Sequence, residues 1–211
     1  IAVIGAGYVG LSNAILLAQA HLNTQVTLFD IDPNKIELLK KDQSPLQDTE
    51  ICDYLTNKPL NLSATLQAVI DNQRIYQNSD LVIIATPTNY DVASGKFDTS
   101  SVEASITAVR EQNATVPIVI KATIPIGFTD SMRQQFDNQI LFMPEFLREG
   151  QALYDNLYPS RIILGATCEQ QALAAALMRL YQQASLTHDV ATLMMPPTEA
   201  EAVKLFDNSY L

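Results

Sequence analysis

Short apolar runs alternate along this chain with longer segments in which apolar residues recur every three or four positions. The short runs read as strands buried on both faces, and the longer segments as amphipathic helices. Strands are predicted over residues 1–4, 25–30, 80–85, 117–121, 139–142 and 160–164, with a weaker one over 190–194. Helices are predicted over 8–21, 33–41, 101–111, 129–136, 169–182 and 198–211. Such alternation predicts an α/β fold built on a doubly wound, mainly parallel sheet.

Local signals sharpen the boundaries. Ser100 with Glu103 reads as a capping box, and Val102, Ile106 and Val109 follow as an apolar stripe. Pro125-Ile126-Gly127 marks a turn before the next helix. Pro196-Pro197 breaks the preceding segment, and Thr198 with Glu201 then reads as a second capping box. The Pro-Pro break is the expected domain boundary: 1–196 form one domain, and 197–211 begin a central connecting helix. Residues 57–68 give the weakest pattern and are expected to be irregular with a short helix. The chain begins at Ile1 inside an apolar strand and stops at Leu211 inside a helical pattern, so a fragment is expected.

Gly5-Ala6-Gly7-Tyr8-Val9-Gly10 sits between the first strand and the first helix, and Asp30 ends the next strand about twenty residues on. This context points to a Rossmann-like dinucleotide site. Gly5 permits the tight turn, Gly7 admits a pyrophosphate close to the backbone, and Gly10 lets helix and strand pack closely. Unpaired N–H groups at the helix start would hold the phosphates. Asp30 would accept hydrogen bonds from a ribose and repel a 2′-phosphate, which favours NAD over NADP. Tyr8, Val9 and Lys35 join the expected cofactor-binding set. The competing readings are a glycine-rich turn with no ligand and a plain strand-end charge at Asp30.

Composition narrows the classes. A formal net charge of −10 with no Lys/Arg cluster argues against nucleic-acid binding. Cys52 and Cys168 are far apart and lack metal-ligand spacing, which excludes a disulfide framework, fits a reducing compartment and gives no metal site. No apolar run reaches membrane-spanning length and no signal-peptide pattern is present, so a cytoplasmic protein without membrane contact is expected.

Three further segments follow predicted strands, where a doubly wound sheet presents its ligand. They are Thr86-Pro87-Thr88-Asn89, Thr123-Ile124-Pro125-Ile126-Gly127, and Pro144-Glu145-Phe146-Leu147-Arg148-Glu149-Gly150. Position makes them candidate site loops, although Thr and Pro after a strand also serve as turn formers. The glycine loop, Ala85-Thr86-Pro87-Thr88, Lys121-Ala122-Thr123-Ile124-Pro125-Ile126-Gly127, the 144–150 stretch, Tyr154-Asp155-Asn156-Leu157-Tyr158-Pro159-Ser160-Arg161, and Glu199-Ala200-Glu201-Ala202-Val203-Lys204-Leu205-Phe206-Asp207-Asn208 together resemble the UDP-glucose 6-dehydrogenase family, in order along the whole chain.

What that resemblance implies is a two-step, four-electron oxidation of UDP-glucose to UDP-glucuronate by two NAD molecules, through a thiohemiacetal and a thioester on an active-site cysteine. It implies that Glu145 activates or orients the hydrolytic water, that Thr123 helps place that water beside the nicotinamide, and that Glu149 faces the cofactor. Thr86, Pro87 and Thr88 would line the cofactor site. Lys204 and Asn208 would stabilise the developing oxyanion, and Glu145, Phe146, Leu147, Arg148, Glu149, Lys204 and Asn208 would meet the substrate.

Spacing is compatible with several of these roles. A helical turn would set Glu145 and Glu149 on one face, as the last helix would set Lys204 and Asn208. A cation and an amide together suit a developing negative charge once water is excluded. Without the family, Lys204 also reads as a surface lysine and Glu145 as a helix-start carboxylate.

The family's cysteine has no counterpart here, since neither Cys52 nor Cys168 has its glycine-rich setting, and Ala122 stands where the family often has Ser. The chain by itself is therefore expected to bind cofactor without turnover, and a homodimer is expected for the full-length protein. Rival readings are dehydrogenases of GDP-mannose or UDP-N-acetylmannosamine, and a non-catalytic dinucleotide-sensing module. The 144–150 stretch argues against the acetylmannosamine enzymes, 206–210 lean toward UDP-glucose, and a sensor leaves Glu145, Lys204 and Asn208 unexplained.

Overall fold

A computed structural model describes residues 1–67, 75–91 and 95–210, without the side chains of 91 and 208–210. Its centre is an eight-stranded sheet. In chain order the strands are β1 (Ala2–Ile4), β2 (Val26–Asp30), β3 (Leu62–Leu66), β4 (Val82–Ile84), β7 (Ile118–Ile120), β8 (Ile140–Phe142), β9 (Arg161–Gly165) and β10 (Ala191–Met195). Their spatial order is β10-β9-β8-β7-β4-β1-β2-β3, and all neighbours are parallel except β8 and β9. The chain reverses its winding between β1 and β4, which opens a crevice at the strands' C-terminal ends.

The helices are α1 (Tyr8–Leu17), α2 (Pro33–Leu39), α3 (Thr49–Asn57), α4 (Ser100–Gln112), α5 (Phe128–Gln135), α6 (Ala152–Leu157), α7 (Gln171–Ala184) and α8 (Pro197–Tyr210). They cover both sheet faces. Val3, Ile83, Val119 and Leu141 pack on one side with α1, α3 and α7, while Ala2, Ile4, Val82, Ile84, Ile118, Ile120, Ile140 and Phe142 pack on the other with α4 and α5. Alternating side chains of one strand thus enter two different cores, so both must be apolar and the runs look continuous. The predicted stripe Val102, Ile106 and Val109 is fully buried.

Several expectations are corrected. Residues 62–66, expected to be irregular, form β3, parallel to β2 with Val26 opposite Leu62. Its Leu62, Ala64 and Leu66 face the core and Ser63 is exposed, an alternation too short to stand out. The helix of that region comes earlier, as α3, capped by Asp48 whose carboxylate accepts from Ile51 N–H at 3.0 Å. The first helix stops at Leu17 rather than at residue 21, and a 3-10 turn follows over Ala20–Leu22. Short elements the pattern did not predict are α6 and the hairpin of β5 (Asn89–Asp91) and β6 (Lys96–Asp98).

Neither capping box forms as expected. The cap residue of α4 is Thr99, whose hydroxyl donates to Glu103 at 2.7 Å. Glu201 lies fully buried and serves another helix: its carboxylate accepts from Gly127 N–H at 2.6 Å and Thr129 N–H at 2.8 Å, at the start of α5. A carboxylate recruited across the fold satisfies the same free donors that a local cap would. The predicted 125–127 turn is present, with Phe128 N–H donating to Pro125 carbonyl and Gly127 at φ +88°.

Candidate functional site

The glycine loop joins β1 to α1 across the end of β4. Gly5 has φ +102°, and a Cβ there would lie 2.6 Å from the Ala85 carbonyl oxygen, so only glycine fits. A Cβ on Gly10 would fall 1.7 Å from the Gly5 carbonyl oxygen. Gly7 differs: no atom lies within 4 Å of where its Cβ would be. Its backbone faces open space, at a helix start with no side-chain cap and no acidic residue in the first turn. Free N–H groups and the positive dipole end therefore point at whatever enters.

Asp30 closes the other side of the loop. It is 7% exposed. One carboxylate oxygen accepts from Ala6 N–H at 2.6 Å and the other from Asp32 N–H at 2.8 Å. Lys35 Nζ stands 3.6 Å away. Each oxygen keeps a lone pair for a further donor, so the same side chain both fixes the loop and can meet a ribose.

These groups line a cleft of about 470 Å³. Of the expected cofactor-binding residues, Gly5, Gly7, Tyr8, Val9, Asp30 and Lys35 border it, as do Thr86, Pro87, Thr88, Thr123 and Glu149. Gly10 sits behind the wall, in its packing role. Ala85, Lys121, Ala122, Glu145, Leu147 and Lys204 complete the cleft. Thr88 Oγ1 donates to the Thr123 carbonyl at 2.6 Å and ties two of the loops together. Phe146 instead lines a neighbouring cavity, and Arg148 is turned outward, bonded to Asp155 at 2.7 Å. The Asn208 side chain lies outside the described residues.

Glu145 and Glu149 do not share a helical face, because residues 143–148 are an irregular loop. They reach the same cleft by loop path alone. The backbone of that loop is held from α8: Lys204 Nζ donates to the Glu145 carbonyl. The Phe146 ring carries two cations, Arg161 at 4.4 Å and Lys204 at 5.5 Å. Arg161 in turn pairs with Asp207 of α8 at 3.2 Å. Partial burial lowers the Lys204 pKa, against the opposing pull of Glu145 and Asp207.

The motifs assigned no role to the network that surrounds Glu145. Lys121, at the end of β7, forms an ion pair with it, and their side chains are 2% and 8% exposed. Asn13 Nδ2 donates to the same carboxylate oxygen at 3.0 Å and to the Val9 carbonyl at 2.8 Å. Tyr181 Oη donates to Asn13 Oδ1 at 3.0 Å, which fixes the amide's orientation. Lys121 also stands 4.6 Å above the Tyr181 ring. Burial lowers the Lys121 pKa, and burial beside Glu145 pushes the Tyr181 phenol well up. The sequence signal was there: Asn13 and Tyr181 interrupt apolar helix faces, and Lys121 ends a wholly apolar strand.

Among the described residues no group of three His, Cys, Asp or Glu is arranged to hold a metal ion, and no helix is long and apolar enough to cross a membrane. The family model described as the NAD binding domain of the UDP-glucose/GDP-mannose dehydrogenase family matches residues 1–185. The chain is 46% identical over its whole length to a UDP-glucose 6-dehydrogenase of Streptococcus pneumoniae, of which it covers 53%, and 41% identical to one of Campylobacter jejuni, of which it covers 52%. It thus spans about half the length of these curated relatives. A solved UDP-glucose dehydrogenase of Pyrobaculum islandicum superposes with a TM-score of 0.82 at 28% identity, over 99% of this chain and 49% of that one.

Proposed function

Because this chain belongs to the UDP-glucose/GDP-mannose dehydrogenase family and carries its NAD-binding domain, we propose that it is the cofactor-binding half of an enzyme oxidising UDP-glucose to UDP-glucuronate. The observation that carries this reading is one cleft shared by a dinucleotide cradle and a polar, charged set. Gly5, Gly7 and Asp30 line it, and so do Thr123, Glu145 and Lys204.

The cradle fits NAD. Gly7 leaves the backbone open to a pyrophosphate, and Asp30 offers lone pairs to ribose hydroxyls. Bound there, NAD supplies the hydride acceptor. In this reading Thr123 and Glu149 face the cofactor, while Phe146, Leu147 and Arg148 belong to the substrate loop. Lys204, with Asn208, offers positive charge and a hydrogen bond to the oxyanion developing at C6. Glu145 orients and deprotonates the water that releases the product from a cysteine outside this chain. Two unpaired, exposed cysteines fit a cytoplasmic setting, and α8 is the element on which a homodimer would be built.

The test is stoichiometric. Full-length protein supplied with UDP-glucose and NAD should form two NADH per UDP-glucuronate. Turnover confined to another nucleotide sugar would move the assignment within the family.

A further inference from the structure

Glu145 borders two hollows. A second cavity, of about 180 Å³, lies against it, and Lys121 and Glu145 are the lining residues it shares with the cofactor cleft. Of the residues lining this cavity, Ser160 and Tyr158 are exposed at the surface, and Lys121, Glu145 and Tyr181 are buried. Asp155, Asn156 and Arg161 add polar lining, each half-buried. Cavities stay dry when apolar and hold water when polar groups offer it several partners. Here an ammonium, two carboxylates, an amide, a guanidinium and hydroxyls line a space with room for several waters.

The proposed reaction needs such a supply. Converting a primary alcohol to a carboxylate with two NAD consumes one water and releases three protons, counting the acid's own ionisation. Cofactor and substrate fill the cleft while this happens, and closure there excludes solvent. We propose that the second cavity is a water-filled passage by which solvent reaches Glu145, and protons leave it, apart from the cofactor cleft.

This inference rests on Glu145 being the residue that handles water. In the hydrolytic step the water oxygen bonds to the thioester carbon and the carbon–sulfur bond breaks, with the electron pair leaving on sulfur. Glu145 takes one proton of that water. The product acid gives up the other, which passes to the thiolate or to solvent. The passage then carries the Glu145 proton outward through water, past Asp155, and restores the carboxylate for the next turnover. Lys121 remains beside Glu145 throughout, and burial leaves its ammonium readier to release a proton than a solvated lysine.

Two variants of the full-length protein test the passage. Ser160→Trp fills the cavity from its exposed lining, and Asn156→Leu removes a polar partner from it, together with the hydrogen bond that Asn156 Nδ2 donates to Ser12 Oγ at 2.9 Å. Neither residue borders the cofactor cleft, so NAD affinity should be unchanged, which also reports correct folding. In rapid mixing, the first NADH should form at the wild-type rate, while steady-state turnover falls roughly tenfold, a part of the about 10²–10⁴-fold that acid–base assistance is worth. Acyl-enzyme should accumulate, visible by intact mass. Wild-type turnover in both variants, with no trapped intermediate, overturns the passage. If the unaltered protein oxidises no UDP-glucose, the functional reading fails instead. A high-resolution crystal structure of the full-length protein then decides the passage alone: ordered waters from Ser160 to Glu145 support it, and a cavity without them rejects it.

Discussion

The Lys121 ammonium and the Glu145 carboxylate form an ion pair inside the protein, between the cofactor cleft and the cavity behind it. Removing one partner leaves the other charge buried without its counterion. Lys121→Met should therefore destabilise the chain by about 3–5 kcal/mol, and Lys121→Met with Glu145→Leu by clearly less. Urea unfolding of the three proteins measures this; a double variant that loses as much as or more than Lys121→Met alone would mean that the two charges are not coupled.

Asp30 is the residue proposed to set cofactor choice. Titration calorimetry should show tighter binding of NAD than of NADP, because the carboxylate repels a 2′-phosphate. Asp30→Asn should narrow the gap and weaken NAD as well, since Asp30 also holds the glycine loop through Ala6 N–H. Equal affinities in the unaltered protein contradict this account.

Glu145→Gln keeps the side chain's shape and removes its capacity to draw a proton from water. In the full-length protein the first hydride transfer should be nearly unchanged, while thioester hydrolysis slows by about 10²-fold or more. Unaltered turnover would assign Glu145 a purely structural part in the Lys121 network.

Glu201 joins α8, which carries Lys204, to the loop that follows Thr123. Glu201→Ala leaves the Gly127 and Thr129 amides without their partner and should cost about 1–3 kcal/mol. Hydrogen exchange should accelerate at those two amides first. Protection equal to the parent protein there would show that another group caps α5.

Lys204 gives a pH signature. Its folded pKa is lowered, chiefly by burial, so the folded state holds this proton less tightly than the unfolded state does. Stability then rises with pH between the folded pKa and the ordinary lysine value of 10.5. Relative to Lys204→Met, the parent protein should gain stability across that alkaline window. A flat difference would mean that the ammonium is fully solvated.

The sheet and the cofactor loop were legible in the sequence because their causes are local. A strand buried on both faces must be apolar throughout, as at 82–84 and 118–120, and the positive φ of Gly5 and the contact of Gly10 with the Gly5 carbonyl arise within one strand–turn–helix unit. β3 was not legible, since an edge strand with one solvated side needs only a few apolar residues. The helical turn expected from Glu145 to Glu149 also failed, because four-residue spacing is no evidence of helix without flanking apolar periodicity.

What the sequence alone determined, then, is the α/β alternation, the glycine turn between β1 and α1, and the acidic residue at the end of β2 beside it. Tertiary structure decided the partners of the buried charges. Lys121, Asn13 and Tyr181 are far apart in the chain and meet only because β7, α1 and α7 pack around Glu145. Glu201 caps a helix more than seventy residues away. Burial obliges a polar group to find a partner, but its identity depends on which elements the hydrophobic faces bring together.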